Sequence, residues 1–330
     1  MLALNTKRTM AFASRIKRLD PFIKQTIDTL KPDVIVVDHV LCIPAVEVSG
    51  IPWVLTCSCN PLFLIENNCE ELTPPKGSGF AKQCMTRRVK YGKSLMNTLC
   101  PMERNPYQNL YFNPSPYLNI YPFPKELDYT DVRPLPPNTY QFDNFIHIKN
   151  DIPFEIPVPL RDKPGKLVYL SLGSMGAADV KNMKRLVTIL SKSKHRFIVS
   201  KGPLQEEYDL PVNMWGAATV PQLQVLPVVD LVITHGGNNT IVETMYFGKA
   251  MIVLPLFGDQ YDNAERVECK GFGKRLDAYQ CSESELLTAI DSLLNDKELE
   301  KRLSKISQRI QSDKSSANLP GLLENLLAHK

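Results

Sequence analysis

Apolar positions in the second half of the chain fall into short β-branched runs separated by segments whose apolar residues recur every three or four positions. The pattern predicts strands at 166–172, 196–200, 213–217, 230–234 and 250–254, with helices at 179–192, 239–247 and 262–270 between them. Ser282-Glu283-Ser284-Glu285 reads as a capping box opening a helix that runs to Leu294, and Lys297 to Ile310 repeats the helical period. In the first half, residues 1 to 30 read as one amphipathic helix. Val34 to Val37 and Ile51 to Thr56 read as strands, with a helix at Val40 to Val48 completing a βαβ unit. Tyr117 to Tyr121 is a further strand. Residues 60 to 116 are less regular, with a loop at Pro74-Pro75, Gly77 and Gly79 and a helix at Arg87 to Met96. Prolines at 134–137 and 153–164 mark a linker. Alternation of this kind predicts an α/β protein with parallel sheets, helices on both faces and ligands at the carboxyl ends of the strands.

Composition narrows the class. A chain of 330 residues is long for one core and suits two domains, and 43% apolar with 22% charged residues is globular and soluble. The formal charge of +4 does not suggest a nucleic-acid footprint, and the basic stretch Lys82 to Lys93 reads as a solvated face. Eight cysteines form no C-x-x-C pair and match no zinc-ligand spacing, so reduced thiols in the cytosol are expected. Residues 1 to 15 are basic without a continuous apolar core, no run is long enough to span a membrane, and 321–330 is a short amphipathic tail.

The most informative stretch is Val232-Ile233-Thr234-His235-Gly236-Gly237-Asn238-Asn239-Thr240-Ile241-Val242-Glu243, followed by Pro255-Leu256-Phe257-Gly258-Asp259-Gln260. A strand that ends in a glycine turn and feeds a helix offers unpaired backbone N–H groups and a positive dipole end to an anion such as a diphosphate. His235 has a ring N–H for a phosphate oxygen, and Gly236 and Gly237 let the backbone approach closely. Asn239 and Thr240 add donors at the helix start. Glu243, one turn on, can accept from both ribose hydroxyls, and Asp259 and Gln260 follow a strand at the binding edge. A dinucleotide fold of the NAD type is disfavoured because no G-x-G-x-x-G with a later acidic residue is present.

These residues resemble the signature of the inverting UDP-glycosyltransferases (UDP-glucosyl/glucuronosyltransferase-like), T-H-x-G-x-N-[ST]-x-x-E and then P-x-x-x-D-Q. The resemblance extends to Asp262-Asn263, to Val220-Pro221-Gln222 and to Val168 to Ser174. It implies the GT-B fold: two Rossmann-like parallel-sheet domains facing across a cleft. The expected division is a partial acceptor-binding domain at 1–150, a Pro-rich linker at 151–165, a UDP-sugar-binding domain at 166–310, and a C-terminal helix at 311–330 packing back on the first domain. The resemblance further implies that Asp259 and Gln260 hold sugar hydroxyls, Gln222 the ribose, Val220 the uracil through its backbone, and Gly173 and Ser174 the diphosphate. Thr219 stands where the family usually stacks a Trp on uracil, with Trp215 four residues earlier, and Ala250 stands where a Pro is usual.

In this family the base is a His after the first strand, oriented by an Asp. Asp38 matches that Asp, but no residue before it matches the strand with its His. His39 should face away from Asp38 by strand alternation, and His147, His195 and His329 have no motif support. The sequence is therefore expected to lack the opening units of the first domain, about 60–90 residues at about 30 per βαβ unit, and to expose apolar edge and face there. The expected function is transfer of glucose, chosen because Asp259 and Gln260 suit neutral hydroxyls, from a UDP-sugar to a hydroxyl of a small lipophilic acceptor with inversion. The alternative is a non-catalytic UDP-sugar-binding short form. Expected too are no metal, no cofactor besides the UDP-sugar co-substrate, no nucleic-acid partner, no membrane anchor and a cytoplasmic location.

Overall fold

The computed structural model describes residues 2–39, 42–64, 114–131, 134–146 and 153–328. The expected loop at 74–79, the helix at 87–96, the basic stretch 82–93, His147 and His329 lie outside these residues. Among the described residues, every strand is parallel to its neighbours, and the strands form two separate sheets.

Helix α1 (Leu2–Leu30) leads into the first sheet, which contains β1 (Ile35–Val37), β2 (Trp53–Thr56), β3 (Leu118–Pro122) and β4 (Thr139–Phe142) in that order. Between β1 and β2 the expected helix is reduced to α2 (Pro44–Glu47), whose Ala45 N–H donates to Asp20 Oδ1 of α1 at 2.8 Å. β1 forms one edge of this sheet, and Val36 is 59% exposed there. β4 was not expected. Its four residues follow the prolines at 134–137 and Asn138, which takes a left-handed φ of 59°, so the run reads as part of a linker. The linker itself holds a short helix at Val158–Arg161.

The second sheet is built from β5 (Leu167–Ser171), α3 (Val180–Leu190), β6 (Arg196–Ser200), β7 (Met214–Ala217), β8 (Leu231–Thr234), α4 (Asn238–Tyr246), β9 (Ala250–Val253), α5 (Gln260–Cys269) and β10 (Gly273–Arg275). Its order is β10-β9-β8-β5-β6-β7. The chain builds outward from β5 in one direction, then returns to build outward from β8 in the other. The boundary between β5 and β8 is therefore the topological switch point, where a doubly wound sheet opens a crevice for ligands. All residues of β5 and β8 are buried, which explains their unbroken apolar runs. β10 was missed because Gly273-Lys274-Arg275 carries no apolar signal; a Cβ at Gly273 would lie 2.0 Å from the Met251 carbonyl, so glycine permits its pairing with β9.

Helix α6 (Glu283–Asn295) has the expected capping box, with Ser282 Oγ accepting from Glu285 N and the Glu285 carboxylate accepting from Ser282 N. Helix α7 (Lys297–Ser312) is capped by Asp296. Helix α8 (Leu319–Ala328) then crosses to the first sheet, where Leu319, Leu322, Leu323 and Leu326 pack on Val54, Leu118, Ile120 and Phe142. The two halves also meet through opposite charges. Arg309 of α7 donates to both carboxylates of Glu126 and Asp143 at 2.6–2.9 Å, Arg266 of α5 donates to the Leu127 carbonyl, and Lys270 pairs with Asp131. Among the described residues, no helix is long and apolar enough to cross a membrane.

Candidate active site

Register places the two switch-point turns side by side. Ser171 at the end of β5 lies opposite Thr234 at the end of β8, so the segments that follow, Leu172-Gly173 and His235-Gly236-Gly237, emerge together. The His235 ring lies against both. A Cβ added at Gly173, where φ is 68°, would meet His235 Cε1 at 2.9 Å, and one at Gly237 would meet Nε2 at 2.6 Å. The glycines thus make room for the imidazole as well as for a ligand. Burial lowers the pKa of His235, partly offset by the bond from its ring to the Ser171 carbonyl, so the imidazole is neutral with one N–H committed. Donation from its second nitrogen requires the imidazolium, which a bound diphosphate would favour. Gly237→Ala is expected to displace the ring and weaken UDP binding about tenfold, measured by titration calorimetry; an unchanged Kd would separate the ring from the anion.

Helix α4 starts at this turn with Gly237 as N-cap. Asn239 is exposed on its first turn, Thr240 is buried, and Glu243 is half-buried one turn further. Gln222, at the start of a short helix Gln222–Val225, donates its amide to the Glu243 carboxylate and lies 3.4 Å from Thr240 Oγ1. Burial raises the pKa of Glu243, and the Gln222 bond opposes that rise. Val220 is buried, Thr219 beside it is exposed, and Ser174 is exposed on the short helix Gly173–Ala177. Trp215 sits in β7, with its ring 6.1 Å from that of Phe154 in the linker. Ala250 opens β9 without disturbing it.

The acid-amide pair differs in part from expectation. Gln260 is buried, and its side-chain carbonyl accepts from the N–H groups of Leu256 and Phe257 at 2.9 and 3.1 Å, closing the loop before α5. Its oxygen is therefore occupied, leaving the amide NH2 end for a sugar. Asp259 Oδ2 accepts from Asn60 N at 3.1 Å, and burial pushes its carboxyl up to about 6 against that bond.

Asp38 follows β1, is exposed, and accepts from Ser58 Oγ at 2.8 Å. The loop 57–60 after β2 therefore touches both acids, and the buried Cys57 thiol between them is pushed up to about 12, chiefly by burial, with Asp259 and Asp38 adding to the rise. His39 lines a small apolar groove with Val37, Cys42, Ile43, Val46 and Trp53, beside Val37 as strand alternation predicts. His195 lies at the opposite end of the second sheet, where Nδ1 accepts from Lys166 N and Nε2 bonds Asp291 at 2.8 Å.

Three asparagines were assigned no role from the sequence. Asn60 is wholly buried between the halves; Asn263 donates to the Gly236 carbonyl at 2.9 Å; Asn238 is buried and donates to the Pro122 carbonyl at 3.4 Å. The polar run Ser58-Cys59-Asn60 at the carboxyl end of β2 was the available signal for the first.

Two parallel-sheet domains, with glycine turns and a helix N-terminus at the switch point of the second, define the GT-B fold. The structure is similar to that of the glycotransferase of kitacinnamycin, with a TM-score of 0.71 and 21% identity over 97% of this chain and 82% of the other. It is also similar to CalG4, the calicheamicin glycosyltransferase, with a TM-score of 0.68 and 16% identity over 99% of this chain and 83% of that one. In sequence, residues 120–319 match the UDP-glucoronosyl and UDP-glucosyl transferase family, and the chain belongs to that family. Relatives include the uncharacterized UDP-glucosyltransferase YojK of Bacillus subtilis (27% identical, over 49% of this chain and 40% of the relative) and UDP-glucuronosyltransferase 2B16 of Oryctolagus cuniculus (32%, over 55% and 35%). A sterol 3-beta-glucosyltransferase of Debaryomyces hansenii is 29% identical over 53% of this chain and 12% of its own length. The matched segments thus span well under half of each of these relatives.

Proposed function

We propose that the second half of this chain binds a UDP-sugar and that the protein transfers the sugar, glucose in the first instance, to a hydroxyl of a small lipophilic acceptor with inversion. The observation that carries this reading is the meeting of Gly173, the His235 ring and the N-terminus of α4 at the switch point, with Glu243 one turn along. In this arrangement the diphosphate lies against the unpaired N–H groups of α4, and Gly173, Ser174, Asn239 and Thr240 border it. Glu243, with Gln222, takes the ribose hydroxyls. Thr219 and the Val220 backbone border the uracil, and Asp259 with the Gln260 amide takes the sugar hydroxyls. Charge developing on the departing diphosphate is stabilised by the helix end and His235. Asp38, held by Ser58, is read as the residue that orients a histidine base rather than as the proton acceptor itself. The relatives are transferases by name, which supports transfer over a binding-only short form. Related folds have been solved with thymidine diphosphate or dTDP, which supports a nucleoside diphosphate as part of the ligand. No cofactor besides the sugar nucleotide is part of this reading.

The test is titration of the protein with UDP and UDP-glucose, followed by UDP release from UDP-glucose in the presence of a panel of phenols. Micromolar binding and acceptor-dependent release are expected; absence of UDP binding at millimolar concentration rejects the reading. Asp259 adds a pH signature. Its carboxylate accepts sugar hydroxyls only when ionised, so the preference for UDP-glucose over UDP should be present above about 6 and fade as pH falls through that value. The ratio of the two Kd values, measured at about pH 5 and about pH 8, should lose this dependence in Asp259→Asn.

A further inference from the structure

Asn60 belongs to the first half of the chain, yet two of its bonds go to the start of α5 in the second half and a third to Tyr129. Its side-chain oxygen accepts from Leu62 N at 2.9 Å, which caps the turn Pro61–Phe63. Its side-chain nitrogen donates to Tyr129 Oη at 3.1 Å and to Asn263 Oδ1 at 2.7 Å, and its backbone N–H donates to Asp259 Oδ2 at 3.1 Å. No polar atom of the side chain is left over, and the residue has no exposed surface. Asn263 is in turn fixed by its bond to the Gly236 carbonyl, in the turn that carries His235. One residue, through its backbone N–H and its side-chain amide, therefore ties the Asp259 carboxylate to the His235 turn and to the first half at once.

The consequence is a division of labour. Among the described residues, Gly173, Gln222, His235 and Glu243 meet partners in the second half: the His235 ring against Gly173, the Gln222 amide on Glu243, and the Ser171 carbonyl on His235. Asp259 receives a bond from the first half. We propose that Asn60 is a positioning residue for sugar recognition: by holding its N–H on Asp259 Oδ2 it fixes the direction of that carboxylate, so the sugar of the donor is read only while the two halves are docked, whereas the nucleotide is read by the second half. This rests on the reading of Asp259 as a sugar-binding acid. The N–H that reaches Asp259 cannot be removed by substitution, but the side chain that fixes its direction can.

The full chain is titrated with UDP and with UDP-glucose as wild type, Asn60→Ala, Asp259→Asn and the double variant. Asn60→Ala should weaken UDP-glucose about tenfold, the scale of one hydrogen bond to a charged group, while changing UDP less than about twofold. In the Asp259→Asn background the Asn60 substitution should have no further effect on UDP-glucose. Parallel loss of both ligands, or an additive effect in the double variant, overturns the proposal and leaves Asn60 a packing residue. Failure of the underlying reading looks different: wild type does not bind UDP, or Asp259→Asn binds UDP-glucose as wild type does. Should Asn60→Ala fail to fold, Tyr129→Phe removes one partner of the same amide and keeps its other bonds. It should shift the UDP-glucose to UDP ratio in the same direction by about twofold to threefold, and an unmoved ratio overturns the proposal.

Discussion

Replacing Arg309 by methionine should destabilise the protein by about 3 kcal/mol at neutral pH. The guanidinium donates four bonds to two carboxylates of the other half, and the Asp143 side chain is completely buried. Methionine keeps much of the side-chain volume but leaves Asp143 charged and without its main partner. Removing one member of a buried pair costs about 3–5 kcal/mol, and the low end applies because Arg309 keeps 35% exposure. The sign with pH follows from Asp143. Burial works to raise its carboxyl, but the Arg309 bonds outweigh that and hold it below the usual range. A lowered carboxyl contributes stability that is present above the unfolded value of about 4 and is lost as pH falls through the folded value. The gap between wild type and variant should therefore be widest at neutral pH and close in acid. The two tryptophans make the measurement specific, since Trp53 sits in β2 and Trp215 in β7. Urea unfolding followed in Trp53→Phe and Trp215→Phe backgrounds should show the first half melting earlier than the second once Arg309 is replaced. Coincident and unshifted transitions would remove this pair from the interface.

Glu243→Ala should weaken UDP by about 1–3 kcal/mol, or about 5- to 150-fold. The carboxylate is held one turn inside α4 by the Gln222 amide, and burial raises its pKa. It is thus aimed and partly desolvated before any ligand arrives, so hydroxyls that bond it gain more than they would at an exposed acid. Inorganic pyrophosphate, which has no ribose, should bind wild type and Glu243→Ala equally. UDP affinity of the wild type should also fall as pH drops through the raised value, because protonation removes the acceptor, and this dependence should be missing from the alanine variant. An unchanged UDP affinity would take Glu243 out of the ribose site.

What could be read from the sequence follows from how each part is built. The second sheet was legible because its central strands are buried on both faces and so carry unbroken apolar runs, while the turn at His235 and the loop at Asp259 lie within one contiguous stretch. β4 and β10 were not, because one hides behind prolines and the other is a glycine with two cations. The loop-closing bonds of the Gln260 oxygen were not legible, since an amide that closes its own loop looks the same in sequence as one that awaits a ligand. The roles of Asn60, Asn238 and Asn263 were not legible because their bonds between the halves join residues 203 and 116 positions apart.

The return of α8 to the first sheet has a mechanical consequence. The polypeptide passes between the halves twice, once through the linker and once ahead of α8, where Asn318 also donates to Tyr140 Oη at 2.8 Å. Two such crossings hold the halves together at two points rather than one. A protease cut in the linker would for the same reason leave a nicked protein whose pieces stay together, the second fragment still clamped to the first by its own last helix.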